Sequence, residues 1–175
     1  MGKSPQTEIE RKWLVDEIPA GILGHANPYF QAYLAISQTE EVRIRRRVAK
    51  DSIKDGKALE YLITCKNGTG LKRLEVETSI TARIFEELLP ATNGRIIEKE
   101  RYVIDDPTLV PELQQADSLK IELDIYNGKL AGLITAEVEF ATEQDSQVFI
   151  VPKWFGKEVT EDERYKNKNL AVGGV

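Results

Sequence analysis

Apolar and polar residues alternate with a period of two in segment after segment of the chain. Glu8, Glu10 and Lys12 alternate with Ile9, Arg11 and Trp13; Arg43, Arg45 and Arg47 alternate with Val42, Ile44 and Val48. The same rhythm recurs around Thr64-Cys65-Lys66, Arg73-Leu74-Glu75-Val76-Glu77, Glu122-Leu123-Asp124 and Glu137-Val138-Glu139. Successive strand side chains point to opposite faces, so each segment carries one charged and one apolar face. The pattern predicts eight strands, near residues 7–15, 29–37, 41–49, 58–66, 71–80, 95–105, 119–127 and 132–142. Turn signals stand at Asp55-Gly56, Asn67-Gly68, Asn93-Gly94 and Asn127-Gly128.

Helical spacing interrupts this rhythm in three places. Over residues 81–90, Ile84, Leu88 and Phe85, Leu89 repeat at helical intervals, with Thr81 as N-cap and Pro90 as stop. Residues 142–150 read as a second helix that brings Val148 and Phe149 onto a core. The polar tail at 161–170 reads as a third. Turn-length connections favour a mainly antiparallel sheet, either a sandwich with the charged faces in water or a closed barrel.

Composition narrows the class. The chain has 175 residues, a length that fits one domain with a sizeable core. Lys+Arg number 24 against 29 Asp+Glu, and the net charge of −5 argues against a general nucleic-acid binder. No apolar run approaches the ~20 residues of a membrane helix. The N-terminus lacks the apolar stretch of a secretory signal, and Gln6 spoils a myristoylation motif. A soluble cytoplasmic protein, monomer or homodimer, with neither nucleic-acid nor membrane partner, is expected. Cys65 is the sole cysteine, which excludes an intrachain disulfide and a multi-Cys zinc site. It alternates onto an apolar face and is expected to be buried. His25 lies in a loop-like stretch, and Gly2-Lys3-Ser4 lacks the upstream spacer of a P-loop.

The arrangement of charge is more telling than its total. Glu8/Glu10, Glu75/Glu77, Glu122/Asp124 and Glu137/Glu139 are i,i+2 pairs of one sign; Arg43/Arg45 and Lys99/Arg101 are pairs of the other. Residues two apart on a strand face stand ~6.5–7 Å apart, so like charges repel unless something counters them. A divalent cation counters the acidic pairs, and phosphate oxygens counter the basic ones. Both together are the outfit of metal-assisted phosphoryl transfer. Oxygen-only ligands favour Mg²⁺, Mn²⁺ or Ca²⁺ over zinc or copper, and phosphate chemistry favours Mg²⁺ or Mn²⁺.

Glu8-Ile9-Glu10-Arg11-Lys12 resembles the ExExK signature of the CYTH superfamily, the triphosphate tunnel metalloenzymes. Arg43-Ile-Arg45, Thr64-Cys-Lys66, Glu75-Val-Glu77, Lys99-Glu-Arg101 and Glu137-Val-Glu139 follow in the family's order, and the tail WFGKEVTEDERYKNKNL is similar to that of small bacterial members. The resemblance spans about Thr7 to Leu170. It implies a single domain over 1–175, a closed eight-stranded antiparallel barrel with charged faces lining a tunnel, helices outside and a C-terminal helix at one mouth. It implies one or two divalent ions, Mg²⁺ or Mn²⁺, held by Glu8, Glu10, Glu137 and Glu139, and phosphate contacts at Arg43, Arg45, Lys66, Arg73, Lys99 and Arg101. Glu75, Glu77, Glu122 and Asp124 are added as tunnel carboxylates. Lys12 and Tyr33 match a Lys–Tyr dyad of some bacterial members, with Lys12 expected to stay charged. Arg164, Lys166 and Lys168 would suit a mouth that attracts polyphosphate, whereas Arg47 and Glu98 read equally well as rim charges.

The activity implied is metal-dependent hydrolysis of tripolyphosphate to pyrophosphate and phosphate. The alternatives are a class IV-type adenylate cyclase, a thiamine or nucleoside triphosphatase, and a non-enzymatic polyphosphate-binding module. Cyclases of that class carry a His-Phe pair shortly before ExExK, where this chain has Ser4-Pro5-Gln6-Thr7.

Overall fold

The computed structural model describes residues 6–49, 52, 58–68, 72–115 and 119–173. Eight strands form where the alternation predicts them: β1 (Gln6–Leu14), β2 (Asn27–Ile36), β3 (Glu40–Val48), β4 (Leu59–Asn67), β5 (Lys72–Ser79), β6 (Ile96–Ile104), β7 (Ile121–Tyr126) and β8 (Ile134–Glu139). Every pairing is antiparallel, in the order β1-β5-β4-β3-β2-β6-β7-β8 and back to β1. The sheet therefore curls into a barrel, but its seam is not a uniform wall. β5 pairs with Gln6–Ile9 and β8 with Glu10–Leu14, so two neighbours share β1 end to end. A closed eight-stranded barrel was expected; the strand order returns to β1, but β5 and β8 share that strand end to end rather than each pairing along its whole length.

The second half of β1 would otherwise leave backbone groups bare on the β5 side, a liability for any strand edge. Residues 156–159 take that place. Leu14 N donates to Lys157 O at 2.9 Å, Gly156 N to Leu14 O at 2.8 Å and Val159 N to Lys12 O at 2.8 Å. Trp13 and Glu158 form an isolated antiparallel bridge there. Arg11 fastens it with a two-pronged pair, Nε and Nη2 to the Glu158 carboxylate at 2.9 and 2.6 Å.

Apolar residues on the outer face need covering, and three short elements do it unevenly. Helix α1 (Ala82–Leu88), capped by Thr81 accepting from Ile84 N at 3.2 Å, buries Phe85 on Ala32 and Ile44. Helix α2 (Glu143–Val148) and the residues after it bury Phe149 and Phe155 around Trp13, ring centroids 6.0 and 5.0 Å away. Each such ring contributes ~1.5–3 kcal/mol by leaving water. Val148 instead points outward, 66 % exposed; the short helix turns only Phe149 to the core. The 81–90 helix ends at Leu88 and tightens into a 3-10 turn through Pro90, because proline cannot supply the next amide donor.

On the outer face of β4 and β5, α1 reaches Tyr61, 5.3 Å from Phe85 between ring centroids, and Ile63, but among the described residues its cover stops there. Leu74 and Val76 are 53 % and 41 % exposed, and Cys65, directly opposite Val76, is exposed too. The expected burial of Cys65 fails for this reason: its face is apolar, but no described helix extends over it. The turn expected at Asp55-Gly56 and the Gly2-Lys3-Ser4 segment lie outside the described residues. The tail is a 3-10 turn (Glu163–Tyr165) followed by helix α3 (Asn167–Gly173), later than the expected 161–170. Its Leu170 packs on Tyr33, Ile97, Tyr126 and Leu130, which fills one end of the barrel. No described helix is long and apolar enough to cross a membrane.

Candidate functional site

The charged strand faces point inward and line a cavity of about 570 Å³. Its wall includes Glu10, Lys12, Arg43, Arg45, Lys66, Glu75, Glu77, Lys99, Arg101, Glu122, Glu137 and Glu139. Register explains the convergence. Glu10 sits opposite Glu139, Lys12 opposite Glu137, Arg101 opposite Asp124 and Lys66 opposite Glu75. A slip of one residue in any strand would turn its charges out to solvent. Arg73 and Glu8 lie opposite each other on β5 and β1, but their side chains are outside the described residues.

The basic side is held by ion pairs. Arg45 Nη1 stands 3.7 Å from Glu77, Arg43 Nη1 3.6 Å from Glu41, and Lys66 Nζ 2.6 Å from Glu75. Lys99 Nζ donates to Asp124. Arg101 bridges most: Nε and Nη2 donate to Asp124 at 2.7 and 2.6 Å, Nη2 also to Glu137 at 2.7 Å, and Nη1 to Glu122. Burial and the neighbouring Arg43 and Arg101 charges work against the Arg45 cation, which falls to about 10 despite the pull of Glu77. Its Nε is buried with no hydrogen-bond partner among the described residues. Burial and Arg101 likewise draw the Lys99 ammonium down, to about 8, in spite of Asp124. Crowded, partly orphaned cations of this kind are stabilised by an incoming anion.

The acidic side is the converse. Glu139, at the exposed rim, has a raised carboxyl pKa because burial, Glu122 and Glu10 oppose its charge more than Lys120 and Lys66 favour it. Glu122 differs. Burial pushes it up, yet Arg101 and Lys120, whose Nζ is 3.0 Å away, hold it at about 2. Glu137 is pinned by Lys12 at 2.8 Å and by Arg101. Among the described residues, no three Asp, Glu, His or Cys side chains stand together as a cage for an ion. Of the four carboxylates expected to bind metal, Glu10 and Glu139 face each other, Glu137 is engaged with cations, and the Glu8 side chain lies outside the described residues.

Lys12 and Tyr33 are not brought together as a dyad by any contact. Burial alone would lower the Lys12 pKa, but Glu137 outweighs it and the ammonium is held above its ordinary range, as expected of a charged role. Tyr33 is fully buried, its hydroxyl accepting from Gln31 Nε2 at 2.5 Å, and burial raises its pKa further. The tyrosine that meets a wall cation is Tyr126, whose ring centroid is 5.4 Å from Lys99 Nζ and whose hydroxyl donates to Asn167 Oδ1 at 2.7 Å. Continuing the Glu122, Asp124 alternation by two residues finds Tyr126. Continuing it back from Gln31 finds Tyr29, a further lining residue.

At the filled end, the tail contributes Thr160, Tyr165, Lys166 and Asn167 to the wall. Of the three basic residues expected there, only Lys166 lines the cavity. Arg164 is occupied with Asp162 at 2.6 Å, and the buried Lys168 donates to the Ser37 and Gln38 carbonyls at 3.0 and 2.9 Å. Lys168 thus ties α3 to the β2–β3 turn. Arg47 lines the opposite rim, bonded to Glu60 at 2.8 Å, while Glu98 lies exposed outside the cavity.

No family model matches the chain. It is 45 % identical over 166 residues to a protein of Nitrosomonas europaea named inorganic triphosphatase, covering 95 % of this chain and 97 % of that one. A protein of Acetivibrio thermocellus with the same name is 33 % identical over 171 residues, covering 97 % and 94 %. The crystal structure of an inorganic triphosphatase superposes with a TM-score of 0.63 at 42 % identity over 94 % of each chain. A Hippeastrum protein described as a putative adenylyl cyclase with dominant triphosphatase activity reaches 0.52 at 14 % identity, over 80 % of this chain and 82 % of its own. That likeness is one of fold.

Proposed function

Because this chain belongs to the CYTH superfamily, among its inorganic triphosphatases, we propose that it hydrolyses inorganic tripolyphosphate to pyrophosphate and phosphate within the barrel, with Mg²⁺ or Mn²⁺. The observation that carries the reading is the convergence of Arg43, Arg45, Lys66, Lys99 and Arg101 on one cavity, with a buried Arg45 Nε left without an acceptor. Charge-assisted bonds from such donors suit a ligand that is phosphate along its length.

The acidic residues fit a hard cation in donor chemistry and in charge. Glu10 and Glu139 face each other, and the Glu139 pKa is raised first by burial and then by Glu122 and Glu10, a cost to its charge that a divalent ion relieves. They would hold the ion with Glu8 of the same strand, and Glu137 would join once Arg101 turns to phosphate. When bound, such an ion supplies positive charge against phosphate oxygens and lowers the pKa of water.

The protein's own groups do the rest. Arg43, Arg45, Lys66, Lys99 and Arg101 bind and align the chain of phosphates, and their fixed positions favour the charge that spreads over phosphate oxygens during cleavage. Lys12, kept charged by Glu137, stabilises negative charge on the departing group rather than removing a proton. Leu170 and the tail keep bulk water from the filled end. The test is phosphate release from tripolyphosphate, pyrophosphate, ATP and thiamine triphosphate, each with Mg²⁺ and with Mn²⁺. Tripolyphosphate should lead. Cyclic AMP from ATP would move the reading to a cyclase, and tight tripolyphosphate binding without release would move it to a binding module.

A further inference from the structure

Tyr29 occupies an unusual place in the basic wall. Its register partners are Arg47 on β3 and Lys99 on β6, directly opposite on either side. The diagonal positions belong to Arg45, opposite Gln31, and Arg101, opposite Asn27. All four cations approach its ring: Arg101 Cζ at 5.3 Å from the centroid, Arg45 Cζ at 5.4 Å, Arg47 Cζ at 5.8 Å and Lys99 Nζ at 6.0 Å. The phenol oxygen also accepts from Arg47 Nη1 at 3.1 Å. Only 8 % of the residue is exposed, although it lines the cavity.

An aromatic face carries partial negative charge and attracts cations more strongly where water is scarce. Four positive groups from two strands, β3 and β6, would otherwise meet across a narrow space. We propose that Tyr29 is a positioning residue, its ring spacing Arg45, Arg47, Lys99 and Arg101 so that their N–H groups remain directed at an incoming polyphosphate. The partly negative face of the ring holds the place that phosphate oxygens would otherwise fill. It works with the carboxylates Glu77, Glu60 and Asp124, which pair the same cations from their other sides. It does not serve as a stacking platform for a nucleoside, because its surroundings are already taken by cations.

This inference rests on the polyphosphate reading, and the experiment separates the two. Compare wild type, Tyr29→Leu and Tyr29→Phe by steady-state hydrolysis of tripolyphosphate and by calorimetric binding of tripolyphosphate to metal-free protein. Leucine keeps apolar bulk but removes the π face. It should raise KM and the metal-free dissociation constant about tenfold while kcat stays within about threefold, and phenylalanine should restore most of the affinity. A leucine variant within twofold of wild type in both constants overturns the proposal. So does a phenylalanine variant as weak as leucine, which would assign the effect to the hydroxyl held by Arg47. Failure of the wild type itself to bind or hydrolyse tripolyphosphate would instead sink the functional reading.

Discussion

On β2, β3 and β6, each cation facing the cavity already has a negative neighbour: Glu77 beside Arg45, Asp124 beside Lys99 and Arg101, the Tyr29 ring among them. On β1 and β8, Glu10 and Glu139 face each other with the same sign, and Glu122 adds to the repulsion. The first wall sets opposite signs side by side, with the Arg45 Nε left over among the described residues, whereas the second sets two carboxylates of like sign opposite each other. A phosphate arriving at the basic wall must therefore exchange with carboxylates, so its net gain is a difference between two favourable states. A cation arriving at the acidic rim only relieves repulsion. The two halves are also wired together, since Arg101 holds Glu122, Asp124 and Glu137 at once. Drawing Arg101 toward phosphate frees acidic oxygens on the opposite side.

The largest expected effect comes from the rim. Glu139→Gln should lower turnover at least ~100-fold at fixed Mn²⁺, since even outer residues of metal sites typically matter 10–100-fold. The fold should hold. A carboxyl whose pKa is raised opposes folding once ionised, so its neutral replacement keeps the melting temperature or lifts it by ~1–2 °C, a small gain at so exposed a position. Near-native turnover at saturating metal would remove Glu139 from the ligand set.

Arg101→Ala attacks the link between the walls and should show both defects. Breaking a buried pair by removing one partner costs ~3–5 kcal/mol, because three carboxylates are left facing one another. A fall of roughly 6–20 °C in melting temperature follows at this size. Loss of a charge-assisted phosphate contact adds ~1.5–3 kcal/mol, or about 10–100-fold in kcat/KM, with KM and kcat both affected. Arg43→Ala removes a looser pair, 3.6 Å from Glu41, and should match the kinetic defect with far less thermal loss. Equal melting temperatures for the two variants would show that Arg101 does not bind the halves together.

Strand alternation made the walls legible because the barrel has only two faces, and a charge excluded from one must take the other. The inward set was readable down to Glu75, Glu77, Glu122 and Asp124, which occupy the cavity or its ion pairs. Cys65 was misread because alternation reports the face, whereas burial depends on whether some other element covers it. Lys168 and Arg164 were misread because charge alone does not reveal a partner; the first bonds two carbonyls and the second bonds Asp162. Tyr29 and Tyr126 share the phase of recognised site residues and were passed over for being uncharged. The tandem seam on β1 depends on a segment more than a hundred residues away, and no local pattern announces it.

Substrate choice tests whether the basic wall is as fully occupied as it looks. A triphosphate offers charge to successive cations, while an adenosine group would need an aromatic surface that Tyr29 does not spare. Tripolyphosphate should exceed ATP at least ~10-fold in kcat/KM, a difference of about 1.4 kcal/mol. Initial rates at matched free metal decide it. ATP equal to tripolyphosphate would mean that a face for the base exists after all.

The smallest effect is a titration on the basic wall. Burial and Arg101 bring the Lys99 ammonium down to about 8, below its ordinary value of 10.5. Phosphate requires the charged form, so a rise from pH 8 to 9 should lower tripolyphosphate affinity about fivefold through this group alone. Stability moves the other way. Between pH 8 and 10.5 the unfolded chain holds a proton on this lysine that the folded chain has lost, so this group's contribution to stability rises with pH. Affinity and melting temperature measured across that range should therefore diverge in wild type. Lys99→Arg keeps the charge throughout and should flatten the affinity profile. A wild-type profile that is already flat would place Lys99 outside phosphate binding, and leave Asp124 as its only task.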